Sequence, residues 1–118
     1  MSFNFNNETP IYLQIIEDIK LQIINKIYKP NDKIPSVREL SLLYGVNPNT
    51  IMKALTELES LGLVYTERTN GKFVTDNENI INEAKSQTVN DMIDKFYSSM
   101  EGLGLSKKEI LDILRNKE

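Results

Sequence analysis

Residues 33–62, KIPSVRELSLLYGVNPNTIMKALTELESLG, decide the fold because they contain the boundaries of two short helices. Ser36 stands three residues before Glu39, the spacing of a capping box in which each side chain satisfies the other residue's backbone amide. Gly45 stands where a helix end needs the left-handed conformation, and Asn47, followed by proline, begins the next helix. Two short capped helices joined by a glycine-containing turn predict a helix-turn-helix.

A β-hairpin is predicted directly after the second of these helices, which should close at Gly62. The hydrophobic period changes there, and β-prone stretches at residues 63–66 and 73–75 flank the pair Asn70-Gly71. Asn-Gly is a strong turn signal because both residue types tolerate a positive φ. A hairpin in this position is a wing, so we predict an α+β fold with a winged helix-turn-helix domain over residues 1–76.

A first helix is predicted to precede this motif and to end near Tyr28. Thr9 is a candidate N-cap, and Pro10 suits the first helical position. Apolar residues then recur at three- and four-residue steps: Tyr12, Ile15, Ile16, Ile19, Ile23 and Ile27. The segment Lys33-Ile34-Pro35 should be a short extended link to the helix-turn-helix.

A helical tail is predicted for residues 77–118. Asn77 or Asn79 can cap a long helix, which the segment Gly102-Leu103-Gly104 should break. The segment Ser106-Lys107-Lys108-Glu109 is another capping box and opens a short last helix.

The two tail helices need a further surface to cover their apolar faces, because isolated segments of this size are marginal in water. That surface is either the preceding domain or the same helices of a second copy, and a homodimer is the commonest solution. We therefore predict a homodimer through the C-terminal helices. Its contacts would come from six apolar residues: Ile81, Met92, Phe96, Met100, Ile110 and Leu114.

The composition excludes most small-enzyme chemistry. The 118 residues include no His and no Cys, so imidazole bases, thiolate nucleophiles and zinc sites built from these residues are ruled out. The carboxylate pairs Glu17-Asp18 and Glu57/Glu59 fall on polar helix faces, which favours a solvated surface. The Gly102-Leu103-Gly104 segment lacks the third glycine of a dinucleotide-binding loop. We predict no enzymatic activity, no metal and no cofactor.

The sequence shows no targeting or membrane segment. Residues 1–9 lack a basic stretch followed by a long apolar run, and polar residues interrupt the apolar stretch at residues 10–28. We expect a cytoplasmic protein that does not enter the membrane.

The start of the second helix of the motif carries side chains suited to reading base edges in the major groove. These are Asn47, Asn49, Thr50 and Lys53. Asparagine can pair with adenine, the threonine methyl can contact a thymine methyl, and lysine can donate to guanine or phosphate. Asn47 fits the role of a helix cap equally well, so both interpretations of this residue stay open.

Phosphate contacts are predicted at the start of the first helix of the motif. Ser36 precedes backbone amides that favour an anion, and Arg38 adds a planar guanidinium able to hold phosphate or guanine. The alternative for Arg38 is a surface salt bridge to Glu39 or Glu57, a kind of interaction that contributes little.

Arg68 and Lys72 on the wing are predicted phosphate or minor-groove contacts, although solvated hairpin charges give the same pattern. The net charge of −3 looks unfavourable for DNA binding. Placement matters more than the total, because the only acidic residue between Arg38 and Lys53 is Glu39, which the capping box uses. The acidic total implies modest non-specific binding and marked salt sensitivity.

Residues 10–75 resemble the N-terminal domain of GntR-type bacterial transcription regulators. The matching motifs are Pro10-Ile11-Tyr12-Leu13-Gln14-Ile15, Lys33-Ile34-Pro35-Ser36-Val37-Arg38-Glu39-Leu40, Gly45-Val46-Asn47-Pro48-Asn49-Thr50, Leu58-Glu59 with Gly62-Leu63-Val64, and Gly71-Lys72-Phe73-Val74. The Pro-Ile-Tyr opening, the Asn-Pro-Asn-Thr helix start and the short tail resemble the YtrA subgroup, whose members lack a large effector domain. The resemblance implies a homodimeric winged-helix regulator, often of a nearby transporter operon.

The wing tip departs from the family's usual pattern, in which two glycines flank one residue and Thr and Phe follow. Thr69 replaces the first glycine, and Lys72 stands where Thr is usual. The depth to which this wing enters the minor groove is therefore open, and Lys72 would be able to add a phosphate contact.

We expect a repressor that binds a pseudo-palindromic double-stranded DNA operator as a homodimer, with recognition helices about 34 Å apart. An operator at a different position relative to the promoter would give activation instead of repression. The sequence identifies no small-molecule effector. The alternative from another class is a winged-helix module that binds protein instead of DNA. Arg38 beside the polar residues Asn49, Thr50 and Lys53 argues against that alternative.

Overall fold

The computed structural model describes residues 3–117. In chain order the elements are α1 (Ile11–Ile24), α2 (Val37–Tyr44), α3 (Pro48–Ser60), β1 (Val64–Glu67), β2 (Gly71–Val74), α4 (Glu78–Glu101) and α5 (Lys107–Arg115). The α+β winged-helix fold is therefore confirmed. The chain forms two compact units that divide after Ala84, within α4, whereas the sequence placed the domain boundary at the start of that helix.

Helix α1 is shorter than predicted at both ends. Pro10 occupies the N-cap position without a side-chain cap, so Thr9 is not the cap. The helix ends at Ile24 because Lys26 adopts a left-handed φ of 61°, and the Ile27 amide bonds back to the Gln22 carbonyl at 2.8 Å. This is the geometry of a Schellman ending. Ile27 is therefore 66% exposed and does not belong to the apolar face.

The boundaries predicted for the helix-turn-helix are confirmed. The Glu39 amide donates to Ser36 Oγ at 3.1 Å, and the Ser36 amide donates to Glu39 Oε1 at 2.9 Å. Gly45 ends α2 with a φ of 68°, and Asn47 Oδ1 accepts from the Asn49 amide at 2.8 Å at the start of α3. These caps fix the angle of entry of both helices through local hydrogen bonds.

The core of the first unit is formed by one face of each helix and by the inner side of the hairpin. Its fully buried side chains include Ile15, Ile19, Ile23, Ile34, Leu40, Ile51, Leu55, Leu58, Leu63, Val64 and Val74. Ile81, predicted to lie at a dimer surface, is instead 2% exposed and belongs to this core. The physical reason is that α4 begins within the first unit, where Ile81 has intramolecular packing partners.

The wing is an antiparallel pair of strands with Val64 opposite Val74 and Glu67 opposite Gly71. Its tip consists of three residues, 68–70, and only Gly71 has a positive φ, of 101°. The predicted hairpin is therefore confirmed, with Asn70 in the tip and Gly71 as the first residue of β2. Of the two residues of the Asn70-Gly71 turn signal, only Gly71 adopts the positive φ that both tolerate.

The link between α1 and α2 pairs with the outer side of β2. The amides of Asn31 and Ile34 donate to the carbonyls of Val74 and Lys72, both at 2.8 Å, and Lys33 forms a bridge with Phe73. The sequence predicted only an extended conformation for this link. In the structure the link is a third hydrogen-bonded segment beside the hairpin.

Helix α4 begins with Asn77 as its cap, because Asn77 Oδ1 accepts from the Asn79 amide at 3.0 Å. A turn with Gly104 at a φ of 89° separates α4 from α5. The predicted capping box at Ser106 and Glu109 is confirmed, with bonds of 2.9 and 3.1 Å. Across residues 3–117, no helix is both long and apolar enough to span a membrane.

Candidate nucleic-acid interface

The first turns of α3 present a polar surface because the opposite face of the helix is held in the core. Ile51, Leu55 and Leu58 are buried, and this packing leaves Asn49 exposed and Thr50 half-buried. Asn47 is also exposed, but its side-chain oxygen already accepts the Asn49 amide. The side chain of Asn47 therefore acts as a cap, while Asn49 is free of that role.

Met52 is exposed on α3 and was not selected from the sequence. It follows Ile51 directly, and a helix turns by about 100° per residue, so burial of Ile51 directs Met52 away from the core. An exposed methionine beside Asn49 offers an apolar contact of the kind that suits a thymine methyl. The sequence does contain a signal for this exposure, because Met52 lies off the apolar face that Ile51, Leu55 and Leu58 form.

Lys53 points to α1. Its Nζ lies 3.9 Å from the centroid of the Tyr12 ring, within the range of a cation–π interaction. The ammonium thus has a partner inside the chain that the sequence did not reveal. Tyr12 itself is half-buried and packs against the core, as the sequence predicted.

The start of α2 combines a satisfied cap with a free guanidinium. The Ser36 hydroxyl is engaged with Glu39, and these hydrogen bonds, together with nearby Lys33, hold the pKa of Glu39 below its ordinary value. Arg38 is exposed and forms no ion pair with any residue in the described range 3–117. The proposed alternative salt bridges from Arg38 to Glu39 or Glu57 are therefore not formed in this structure.

A groove of about 450 Å³ separates the start of α2 from the hairpin. Segment 33–37 forms one wall, residues 66–72 form the other, and Leu55 also contributes. Lys33, Arg68 and Lys72 bring three positive charges to its lining, against the single carboxylate of Glu67. This sign of charge suits a nucleic-acid backbone.

Lys33 is a groove residue that was not predicted from its sequence context. Its bridge to Phe73 places it beside the wing, and a Cβ added at Gly71 would lie 3.2 Å from Lys33 Cε. Gly71 thus meets two demands, a positive φ and a close approach by the lysine stem. The sequence alone gave no sign of the contact because it depends on pairing between segments 40 residues apart in chain order.

The two predicted wing cations differ in their surroundings. Arg68 lies at the exposed tip and forms no ion pair within the described part of the chain. Lys72 Nζ instead lies 2.8 Å from Glu59 Oε1 and 2.7 Å from Thr66 Oγ1. Hydrogen bonds from Lys72 and Thr66 hold the pKa of Glu59 below its ordinary value.

The predicted dimer residues fall into two classes. Met92, at 64% exposure, Phe96 and Leu114 are exposed, and Met100 is half-buried. Ile110 is fully buried, like Ile81, so the structure does not bring either side chain to a surface. The exposed apolar residues that the prediction omitted are Val89, Ile93, Leu103, Leu111 and Ile113.

Comparison with known proteins gives consistent matches. The profile of the family described as "Bacterial regulatory proteins, gntR family" matches residues 11–74. The HTH-type transcriptional repressor YtrA of Bacillus subtilis (strain 168) is 40% identical over 101 residues, which cover 80% of this chain and 78% of that protein.

Two solved structures extend the comparison to the fold. A GntR family transcriptional regulator from Listeria monocytogenes has a TM-score of 0.83 and 35% identity, and the match covers 97% of this chain and 100% of that chain. AraR(DBD) in complex with operator ORX1 has a TM-score of 0.58 and 33% identity, over 64% of this chain and 95% of that chain.

Proposed function

Because the chain belongs to the GntR family of bacterial regulatory proteins and is similar to YtrA, we propose that it is a transcription repressor that binds a pseudo-palindromic operator as a homodimer. The observation that carries the proposal is the polar, exposed start of α3, together with the exposed guanidinium of Arg38 in the first turn of α2. The complex of AraR(DBD) with an operator supports it, because that domain shares the fold of the first unit.

In this proposal α3 enters the major groove and Asn49, Thr50 and Met52 contact base edges. The remaining contacts are made to the DNA backbone and fix the position of the domain on the duplex, as is usual for such interfaces. Arg38 at α2, Lys33 in the groove and Arg68 at the wing tip supply the cations. Lys53 contributes a charge from its place above the Tyr12 ring. Ser36 and Asn47 act through the helix starts that they cap.

The homodimer forms through the second unit in this proposal. Met92, Phe96 and Leu114 are large apolar side chains exposed to solvent on two successive helices, and a second copy would cover them. Dimerisation matters for affinity because linking two modest half-site contacts makes the second binding event intramolecular. Specific affinity on the order of 10⁻⁸ to 10⁻¹¹ M is then expected.

Selection of bound fragments from random double-stranded DNA tests the function directly. We expect one enriched sequence with two inverted half-sites whose centres lie about one helical turn, or a multiple of it, apart. Gel-shift titration of that sequence across salt concentrations should show a steep loss of affinity. No enrichment at low salt would refute DNA binding and leave the protein-binding winged-helix module as the interpretation.

Sedimentation of three single variants tests the dimer. Met92→Glu and Phe96→Glu should halve the apparent mass because each buries a carboxylate at the proposed interface. Asn90→Glu is the matched control, since it adds the same side chain at an exposed polar position of the same helix and should leave the dimer intact. A parent protein that sediments as a monomer would contradict the proposal.

Repression is tested by transcription in vitro from a promoter that overlaps the selected operator. The parent protein should lower transcript yield in proportion to operator occupancy, and a scrambled operator should abolish the effect. Increased transcription from this template would replace repression with activation. By similarity to the YtrA subgroup, we propose that the regulated genes form a transporter operon.

A further inference from the structure

A closed cluster of three polar side chains joins the last turn of the proposed recognition helix, α3, to the wing. Lys72 Nζ donates to Glu59 Oε1 at 2.8 Å and to Thr66 Oγ1 at 2.7 Å, while the Thr66 hydroxyl donates to Glu59 Oε2 at 2.9 Å. Both carboxylate oxygens are therefore engaged. We call Glu59, Thr66 and Lys72 the wing anchor.

The wing anchor follows from the strand register. Thr66 and Lys72 lie directly opposite each other on β1 and β2, so both side chains extend from the same face of the hairpin. Glu59 lies in the last turn of α3, and the chain reverses after it through Gly62, whose φ is 79°. One residue of the recognition helix thus reaches one residue on each strand of the wing.

From this geometry we propose that Glu59 is a positioning residue, which sets the angle between the wing and the recognition helix and so determines which base pairs the wing tip reaches. The inference rests on the proposed DNA-binding function. Lys72 acts through Glu59 in this arrangement, and the wing's contact with DNA is left to Arg68 at the tip and Lys33 in the groove.

The competing role for Lys72 is a direct phosphate contact, as predicted from its position on the wing. Its ammonium already has two oxygen partners, one of them charged, and its side chain is 29% exposed. A phosphate would have to displace the Glu59 carboxylate, and that exchange would leave Glu59 unpaired facing the DNA backbone. Arg68 has no such intramolecular partner in the described residues, so it is the better candidate for contacts with phosphate and with the minor groove.

The salt dependence of operator binding separates the two roles of Lys72. Loss of one phosphate contact lowers the slope of log affinity against log salt by about 1. The double variant Glu59→Gln/Lys72→Met removes both charges of the pair, so it should leave that slope unchanged and weaken binding about two- to fivefold at every salt concentration. Arg68→Met is the control and should lower the slope by about 1. An equal fall of the slope in the double variant would overturn the proposal.

The positioning role is tested by base preference. Glu59→Gln should reduce discrimination among bases at the outer, wing-contacted positions of each half-site and leave the inner, α3-contacted positions unchanged. A pair that only stabilises the fold would lower the unfolding midpoint without changing this pattern, and that result would contradict the proposal. The charge-swapped double variant Glu59→Lys/Lys72→Glu should recover the parent's outer preference, whereas Lys72→Glu alone should not.

Hydrogen exchange of the free protein provides a measurement that does not depend on DNA. Amides of residues 66–72 should exchange faster in Glu59→Gln and return towards the parent rate in the double variant. Unchanged exchange in Glu59→Gln would refute the wing anchor even if the parent binds its operator. A different pair of results would refute the proposed function alone. If Glu59→Gln exchanges faster but the parent protein selects no DNA sequence, the wing anchor holds the hairpin and DNA binding is refuted.

Discussion

Lys53 of the recognition helix lies above the ring of Tyr12 in α1, with its Nζ 3.9 Å from the ring centroid. This contact joins α3 to the first helix at the protein surface. We expect a double-mutant cycle of Tyr12→Leu and Lys53→Met to give a coupling free energy of about 0.5–1 kcal/mol, the usual range for exposed cation–π pairs. Urea unfolding of the four proteins measures it. Additive effects of the two substitutions would show that the contact contributes nothing.

Arg38→Ala should weaken binding to operator and unrelated DNA by similar factors. Arg38 has no ion-pair partner among residues 3–117, so the substitution should leave the unfolding midpoint near that of the parent. The salt slope should fall by about 1. Salt-controlled gel shifts on both DNAs check this prediction, and an affinity equal to the parent's on both would contradict it.

Asn47→Ala and Asn49→Ala should have opposite profiles although the residues lie only two positions apart at the start of α3. Asn47 Oδ1 caps the helix, so its loss should lower the free energy of unfolding by about 0.5–2 kcal/mol. Asn49 makes no such bond through its side chain, and its loss should cost about 1–3 kcal/mol in discrimination at one base pair. Chemical unfolding and binding to single-base operator variants measure the two effects. The same profile for both variants would refute this division.

The stability contributed by Glu39 should depend on pH. Hydrogen bonds from Ser36 lower the folded-state pKa of Glu39 below its ordinary value of 4.5, so its contribution is fully present above that value. It should be lost as pH falls through the lower, folded-state pKa. Glu39→Gln keeps a capping oxygen without the charge, so the stability gap between parent and variant should narrow on acidification. A gap that stays constant from pH 7 to pH 3 would contradict this sign.

Ile81 and Phe96 lie on the same helix but should respond differently to truncation. Ile81→Ala should lower the free energy of unfolding by about 2–5 kcal/mol because its side chain is buried in the core of the first unit. Phe96→Ala removes an exposed ring and should chiefly weaken self-association. Thermal unfolding at two protein concentrations distinguishes the effects. If the loss of thermal stability in Ile81→Ala depended on protein concentration as it does in Phe96→Ala, Ile81 would belong to the dimer interface after all.

Local signals predicted the helix-turn-helix well because capping is a short-range property. Ser36, Gly45 and Asn47 each act on residues within four positions. Their spacing in the sequence is therefore enough to predict where the two helices begin and end. The end of α1 was missed because Lys26, a residue type that seldom adopts a positive φ, terminates the helix.

The candidate site was predicted less completely because its contacts join distant segments. Lys53 with Tyr12, Lys72 with Glu59, and Lys33 with Phe73 all depend on tertiary placement. Hydrophobic periodicity placed Ile81 and Ile110 on the apolar faces of their helices, where they were predicted to contact a second copy, and both side chains are buried. Periodicity does not say whether the covering surface belongs to the same chain or to another copy, and that choice was wrong for Ile81.

The hydrogen bonds between the α1–α2 link and β2 limit how this protein can be re-engineered. Surface loops usually accept insertions, yet the link bonds to β2 at Asn31 and Ile34. Adding or removing one residue between these points would turn Lys33 to the opposite side of the strand. A chimaera that takes its link from a relative must therefore keep the number of residues between the two bonded positions, whereas the identity of the side chains there is free to change.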